Sequence, residues 1–252
     1  MPSELNALYT QTLLNMESTL HALERSVGPP EAVPMGDSYV FRYREKNIHQ
    51  AIVQKLARLI SGLHAARLLL FAGFIQEQAA MHRMLDEFTE DAIFLSYGII
   101  SNEIMPLHLR FLDAFYLEEF DNPCEPLKST QKRPMISREK IQAYLANIED
   151  VTKDPYTAQR ASRSISKSFS GFVHGASPHT MEMYGGDPPQ FHVRGLKDSP
   201  LFSDHEYDLW NYFFRGICAF GIAAKAFGAE NLFAQILSYK NKFVTNSDRA
   251  SL

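Results

Sequence analysis

The stretch NIHQAIVQKLARLISGLHAARLLLFAGFIQEQAAMHRMLDEFTEDAIFLSY, residues 47–97, decides the fold. It contains no proline, and Ile52, Leu56, Leu59, Leu63 and Leu70 fall on one face at the helical repeat. Phe74, Met81, Met84, Leu85, Phe88 and Leu95 continue that stripe in almost the same phase. Helical periodicity sustained over this length makes the protein all-α. A single helix would span about 75 Å, whereas a break at Ala72-Gly73 would give two helices of ordinary length. The unbroken phase favours one helix and base rates favour two, so both readings stand.

Polar residues interrupt the stripe. Arg67 and Glu77 both lie on it, and an unpaired charge buried there would be costly, so a structural ion pair is expected. His82, Asp86 and Glu90 form an i, i+4, i+8 row opposite the stripe, beside the pair Arg83 and Glu87. That row reads as a solvated charged face. A carboxylate-bridged metal bundle needs Glu-x-x-His on facing helices, and no such pair exists; Glu103 and His108 straddle Pro106. Neither a metal nor a cofactor is expected.

Working outward, Leu5, Leu8, Tyr9, Leu13, Met16, Leu20 and Leu23 mark a first helix behind Ser3 as N-cap, ended by Gly28-Pro29-Pro30. Tyr39-Val40-Phe41 suits a short extended piece. Further helices are predicted over 106–120, from Ser137 to about Asp150, from Pro155 to His174, and over about 230–245. Ser203-Asp204-His205-Glu206 has the form of a capping box ahead of Tyr207, Trp210, Phe213, Phe214, Ile217 and Phe220, an aromatic run expected in the core. Residues 181–195 suit a small hairpin tipped by Gly185-Gly186-Asp187-Pro188-Pro189. No repeat and no biased linker divides the chain. The expected architecture is one helical domain over residues 1–252, a multi-helix bundle with one or two long helices and an irregular hairpin insertion near 176–200.

The bulk properties narrow the class. The chain has 252 residues, a formal charge of -4 and 45% apolar residues, values of an ordinary globular domain. Cys124 and Cys218 are too few for a disulfide framework, which points to a reducing compartment. The longest apolar run, Leu68 to Ile75, falls well short of a membrane span, and the first residues lack the features of a signal peptide. A cytoplasmic protein without a membrane partner is expected. Glycine-rich phosphate loops, nucleophile elbows and metalloprotease motifs are absent from the sequence.

One segment has the look of a site. On the helix from Pro155, Arg163, Lys167, Ser170 and His174 line up within about 60° of one another. Ile165, Phe169, Phe172 and Val173 occupy the far side. The loop Gly175-Ala176-Ser177-Pro178-His179-Thr180-Met181-Glu182-Met183-Tyr184-Gly185-Gly186 follows, bringing His179 and further hydroxyls. Cations and hydroxyls suit phosphate oxygens, so Arg163, Lys167, Ser170 and His179 are candidate anion ligands. His174 is the candidate proton-transfer group, and Gly171-Phe172-Val173-His174-Gly175 suggests close backbone packing around its imidazole. The bland alternative is a solvated helix face ending in a structural histidine.

The pattern Arg160-x-x-Arg163…Ser166-x-x-x-Ser170-x-x-x-His174-Gly175 resembles that of uncharacterised helical bacterial proteins, which are similar in layout to the HEPN superfamily. Many HEPN proteins are metal-independent ribonucleases of defence and toxin systems. The resemblance implies an RNA-binding or ribonuclease-type protein, and a homo-oligomer is expected. The superfamily's catalytic signature is an arginine followed four to six residues later by a histidine. Arg44…His49 and Arg58…His64 have that spacing, and His174 has no arginine there. A second expectation is a non-catalytic helical interaction module, a homodimer or a subunit of a larger assembly. Whether the protein is an enzyme is left open by its residues.

Overall fold

A computed structural model of the protein describes residues 3–148, 154–197 and 199–247. The decisive stretch is two helices, α2 (Ile48–Ala72) and α3 (Ile75–Ile100). Gly73 takes a left-handed φ of 86° between them, its N–H bonding to Leu70 O at 2.9 Å while Phe74 N–H reaches Leu69 O at 2.8 Å. That is a glycine stop of the kind only an achiral residue adopts at little cost. The helices run antiparallel. Lys55 Nζ meets Asp91 Oδ2 at 2.8 Å, and Gly62 lies so near Leu85 that a Cβ on it would come within 2.7 Å of Leu85 Cδ2.

The other elements surround this hairpin. They are α1 (Ser3–Glu24), α4 (Pro106–Tyr116), α5 (Arg138–Ala146), α6 (Pro155–Val173), the single turn α7 (Ser177–Thr180), α8 (Phe202–Ala226) and α9 (Glu230–Asn246). Two 3-10 turns (Pro126–Lys128 and Met181–Met183) and two small antiparallel hairpins complete the described elements. β1 (Glu31–Met35) pairs with β2 (Ser38–Arg42), and β3 (Tyr184–Gly185) pairs with β4 (Gln190–Phe191). The fold is the expected all-α bundle, with its hairpin insertion between α7 and α8.

The core forms where α1, α2, α3 and α8 meet. Tyr9 and Leu13, Leu56 and Leu59, Leu85 and Phe94, and Phe213 and Phe220 are all buried there, with Tyr9 stacked on Phe213 at 4.2 Å between ring centroids. The aromatic run of α8 is core, as its spacing predicts.

Three expectations about polar residues are corrected. His82, Asp86 and Glu90 are not a solvated face: they are 0%, 2% and 6% exposed. With α2 against one side of α3 and α5, α6 and α8 against the other, the face opposite the apolar stripe is also interior. Met84, on the predicted stripe, is 39% exposed. Arg67 and Glu77 do not pair. Arg67 donates to Asn6 Oδ1 at 2.7 Å and Thr10 Oγ1 at 2.7 Å on α1, while Glu77 is exposed. Nor does the capping box form. Ser203 lies inside the first turn of α8, Leu201 is its N-cap, and no side chain caps it. Several helix ends also shift: α4 stops at Tyr116, and Ser3 opens α1 rather than preceding it. α5, expected to reach about Asp150, stops at Ala146 with Asn147 as its C-cap.

The buried acids of α3 are answered from every neighbour. Arg138 of α5 bridges Glu90 and Asp91, Lys55 of α2 takes the other Asp91 oxygen, and Arg215 of α8 holds Asp86 Oδ1 at 2.6 Å. Gln142 and Ser162 donate to Glu90 Oε1 at 3.1 and 2.7 Å. Removing one member strands its partner's charge in a poorly solvated interior. Arg138→Ala is therefore expected to destabilise the fold by about 3 kcal/mol, the lower end for a buried pair because Lys55 remains. Calorimetry should show a melting temperature lower by roughly 10 °C.

Candidate functional site: the two faces of α6

α6 starts at Asp154, whose side chain accepts from Thr157 N–H at 3.2 Å, and ends at His174 ahead of Gly175 with φ 60°. It rests on α3 and α5 and scarcely touches α8, which leaves a groove between α6 and α8 floored by α3.

The outer face is the one the sequence singles out. Arg160, Arg163, Lys167 and His174 are exposed along it, and Ser170 is half-buried. Arg163 forms an ion pair with Glu139 of α5, with both side chains more than half exposed. His174 is the C-cap residue, and its backbone N–H returns to Ser170 O at 3.1 Å. The close packing expected around His174 belongs to His179. A Cβ on Gly171 would stand 2.1 Å from His179 Cε1, so only glycine admits that imidazole. His179 Nε2 lies 3.2 Å from Ser168 O and its ring meets Phe172 at 4.4 Å. His179 is thus drawn against the inner side of α6 and parts from the outer row.

The inner face builds a second constellation. A cleft of about 330 Å³ opens between α6 and α8, walled by Ile165, Phe169 and Phe172 on one side and by His205, Asp208, Tyr212 and Arg215 on the other. Glu182, from the loop after α7, closes one rim. A neighbouring cleft of about 240 Å³, lined by Thr89, Glu90, Ser162, Cys218 and again Arg215, continues the groove towards α5. None of Arg163, Lys167, Ser170, His174 or His179 lines the 330 Å³ cleft.

Gln78, fully buried on α3, fixes the histidines. Its Nε2 lies 3.2 Å from the His205 carbonyl, which can only accept, so that atom is the amide nitrogen. The same nitrogen donates to His82 Nε2 at 2.9 Å, and Gln78 Oε1 accepts from His205 Nδ1–H at 3.1 Å. His82 therefore carries its proton on Nδ1, which is buried without a hydrogen-bond partner, and its ring stacks on Tyr212 at 4.1 Å. His205 is left with a bare Nε2 lone pair 4.0 Å from Glu182 Oε2. Glu182 in turn accepts from Gln76 at 3.2 Å.

Burial sets the protonation states. It holds His205 down at about 4, with Asp204 pulling the other way, and holds His82 well below the usual histidine range, helped by His205 and Arg215. Burial raises Asp208 to about 6, assisted by Asp204 and Asp86. It also raises Glu182 against His179 and Gln76, and Asp86 against Arg215. At neutral pH the cleft thus holds an uncharged histidine among carboxylates, and the charge of Arg215 is matched by Asp86. Among the described residues no group of three or more His, Cys, Asp or Glu side chains is placed to hold a metal ion.

The sequence reading singled out this helix and loop and described their outer face alone. It did not join Asp208, Tyr212 and Arg215 to His205, which it named only within a capping box of a helix read for its aromatic core. One signal was present: His205, Asp208, Tyr212 and Arg215 recur at three- and four-residue steps along α8, beside the apolar positions.

The ionisations give a test. A histidine with a depressed folded pKa is protonated more readily in the unfolded chain, so its contribution is intact above about pH 6.5 and is lost as pH falls towards 4. Asp208, Glu182 and Asp86, all raised, act in the opposite sense over the acidic range and offset it in the wild type. His205→Gln isolates the histidine: relative to wild type, its melting temperature should climb as pH is lowered from 7 to about 4.5. A constant difference between the two proteins across that range would show that His205 is not a buried neutral imidazole.

Compared with known protein families, with curated proteins and with solved structures, the chain matches none. No helix among the described residues is long and apolar enough to cross a membrane.

Proposed function

We propose that the protein binds RNA along the outer face of α6. The carrying observation is a charge asymmetry: α6 holds Arg160, Arg163 and Lys167, all exposed, and no carboxylate, in a chain of formal charge -4. A row of cations one helical turn apart suits consecutive phosphates, with Ser170 as a further donor. The exposed pair of Arg163 with Glu139 is worth little, so a phosphate can displace it. The inner cleft is a poorer home for phosphate, because Asp204, Asp208 and Glu182 face it. The resemblance to HEPN proteins of bacterial defence and toxin systems, borne by Arg160, Arg163, Ser170 and His174, supports the same ligand.

Contacts of this kind release counterions. For three phosphates on a single strand, log K against log salt should fall with a slope of roughly −2. Fluorescence anisotropy with labelled single-stranded RNA measures it. Reversing two charges in Arg163→Glu/Lys167→Glu should abolish binding, while an outward change elsewhere, Glu77→Gln, should leave it intact. Binding that survives the reversal ends this reading. His174, at the end of the row, is placed to move a proton if the strand is cut: His174→Ala is then expected to stop cleavage with affinity little changed.

A second reading, association through an apolar surface, has its own observation. Ile100, Ile104, Met105 and Leu109, clustered along the chain at the α3–α4 turn, are 39%, 43%, 39% and 53% exposed. A homodimer through this surface should dissociate in Met105→Ser/Leu109→Glu, as followed by sedimentation velocity. A wild-type protein that sediments as a monomer at all concentrations removes it.

A further inference from the structure

The cleft on the inner side of α6 is unrelated to the RNA face, and its groups are mismatched in an informative way. His205 is 5% exposed and cannot turn, because Gln78 holds Nδ1–H on one side. Its Nε2 lone pair therefore confronts Glu182 Oε2 at 4.0 Å, an acceptor facing an acceptor with no hydrogen bond between them. That nitrogen opens onto the cleft, where a donor that enters would complete its hydrogen bonding. Asp208 and Asp204 add two carboxylates to the same wall. Arg215, the cation among the described lining residues, is half-buried, already bound to Asp86, and lies over the Tyr212 ring at 4.9 Å. Opposite stand Phe169 and Phe172, with Ile165 beside them.

We propose that this cleft binds a small organic cation, an ammonium or amidinium group on an apolar body. Its N–H donors would satisfy His205 Nε2 and the Glu182 and Asp208 carboxylates, and its apolar part would lie against Phe169 and Phe172. Three features favour this ligand class. His205, Glu182, Asp204 and Asp208 all turn acceptors to the cleft, whereas the cation lining it, Arg215, is engaged by Asp86. Aromatic faces add attraction for a cation. The volume, about 330 Å³, is at the small end of ligand sites, which suits a single-ring amine. A phosphate or carboxylate ligand would meet like charge. Metal ions are disfavoured by the absence of a three-ligand cluster among the described residues.

Titration calorimetry on the full chain, with phenethylammonium as probe and benzyl alcohol and 3-phenylpropanoate as neutral and anionic controls, tests the assignment. The cation should bind saturably at one site, at least tenfold more tightly than either control. Glu182→Gln and Asp208→Asn should each weaken it roughly tenfold. The outer-face variant Lys167→Glu should leave it unchanged, which separates this result from the RNA reading. Affinity should also fall several-fold from pH 7 to pH 5, as Asp208, raised to about 6, takes up its proton. The other groups facing the ligand keep their charge state over most of that range: His205 and His82 neutral, Arg215 cationic. Glu182 is on a loop and a quarter exposed, so Glu182→Gln remains informative if Asp208→Asn proves poorly folded. Equal affinity for cation and controls, or a cation affinity untouched by Glu182→Gln, overturns the proposal, as does failure of the cation to bind.

Discussion

The structure depends on one constraint, the burial of a polar ridge on α3. Asp86, Glu90 and Asp91 lie within two turns of a helix enclosed on both sides, and each ionised carboxylate taken from water must be compensated. Compensation comes from a different element each time: Arg215 from α8, Arg138 and Gln142 from α5, Ser162 from α6, Lys55 from α2. Apolar packing brings these helices together without a preferred register, because it is non-directional. The ion pairs and hydrogen bonds are directional, so they fix the axial position and rotation of each helix against α3.

That arrangement also explains the groove. α6 is fastened to α3 by Ser162 and by Phe169, whose ring meets His82 edge-on at 5.4 Å, and it is held laterally by α5. Towards α8 the described contacts of α6 are rings alone, Phe169 on Tyr212 at 5.8 Å and Phe172 on His205 at 6.0 Å. The gap between them exposes the flank of the polar ridge, and this places histidine, carboxylates and aromatic rings around one opening. The protein thereby separates two electrostatic environments across a single helix, cations on the solvent side and acceptors on the inner side.

Much of this was legible in the sequence. The periodicity of residues 47–97 specifies helices, and Ala72-Gly73 was the position read for a possible break. The choice between one helix and two was not legible, because the apolar stripe keeps its phase across a turn that reverses the chain. The burial of His82, Asp86 and Glu90 was hidden for a related reason. Periodicity shows which face of a helix is apolar, not whether a second layer covers the polar face, and here the covering helices start about forty or more residues downstream. Arg67 illustrates the same limit: its partners Asn6 and Thr10 lie on α1, and nothing in local spacing connects them. The segment from Arg160 to Gly186 was recognisable by its arginines, serines, histidines and glycines. Its inner partners on α8 were not, since tertiary folding alone brings Glu182 to His205.

The rim of the cleft carries a last consequence. The loop that presents Glu182 is tied at both ends. Near α6, His179 occupies the space that Gly171 leaves open. Beyond the β3–β4 hairpin, Leu196 N–H bonds to Gly73 O at 2.8 Å, with Gly195 so close that a Cβ would stand 2.6 Å from Ala72 O. A segment pinned in this way cannot serve as a swinging cover. Its ordering entropy is lost when the chain folds, and an incoming ligand meets a preorganised wall. Association would then be limited by encounter rather than by a gating motion. The helix turn at Gly73, remote from the cleft in sequence, becomes a foundation on which its shape rests.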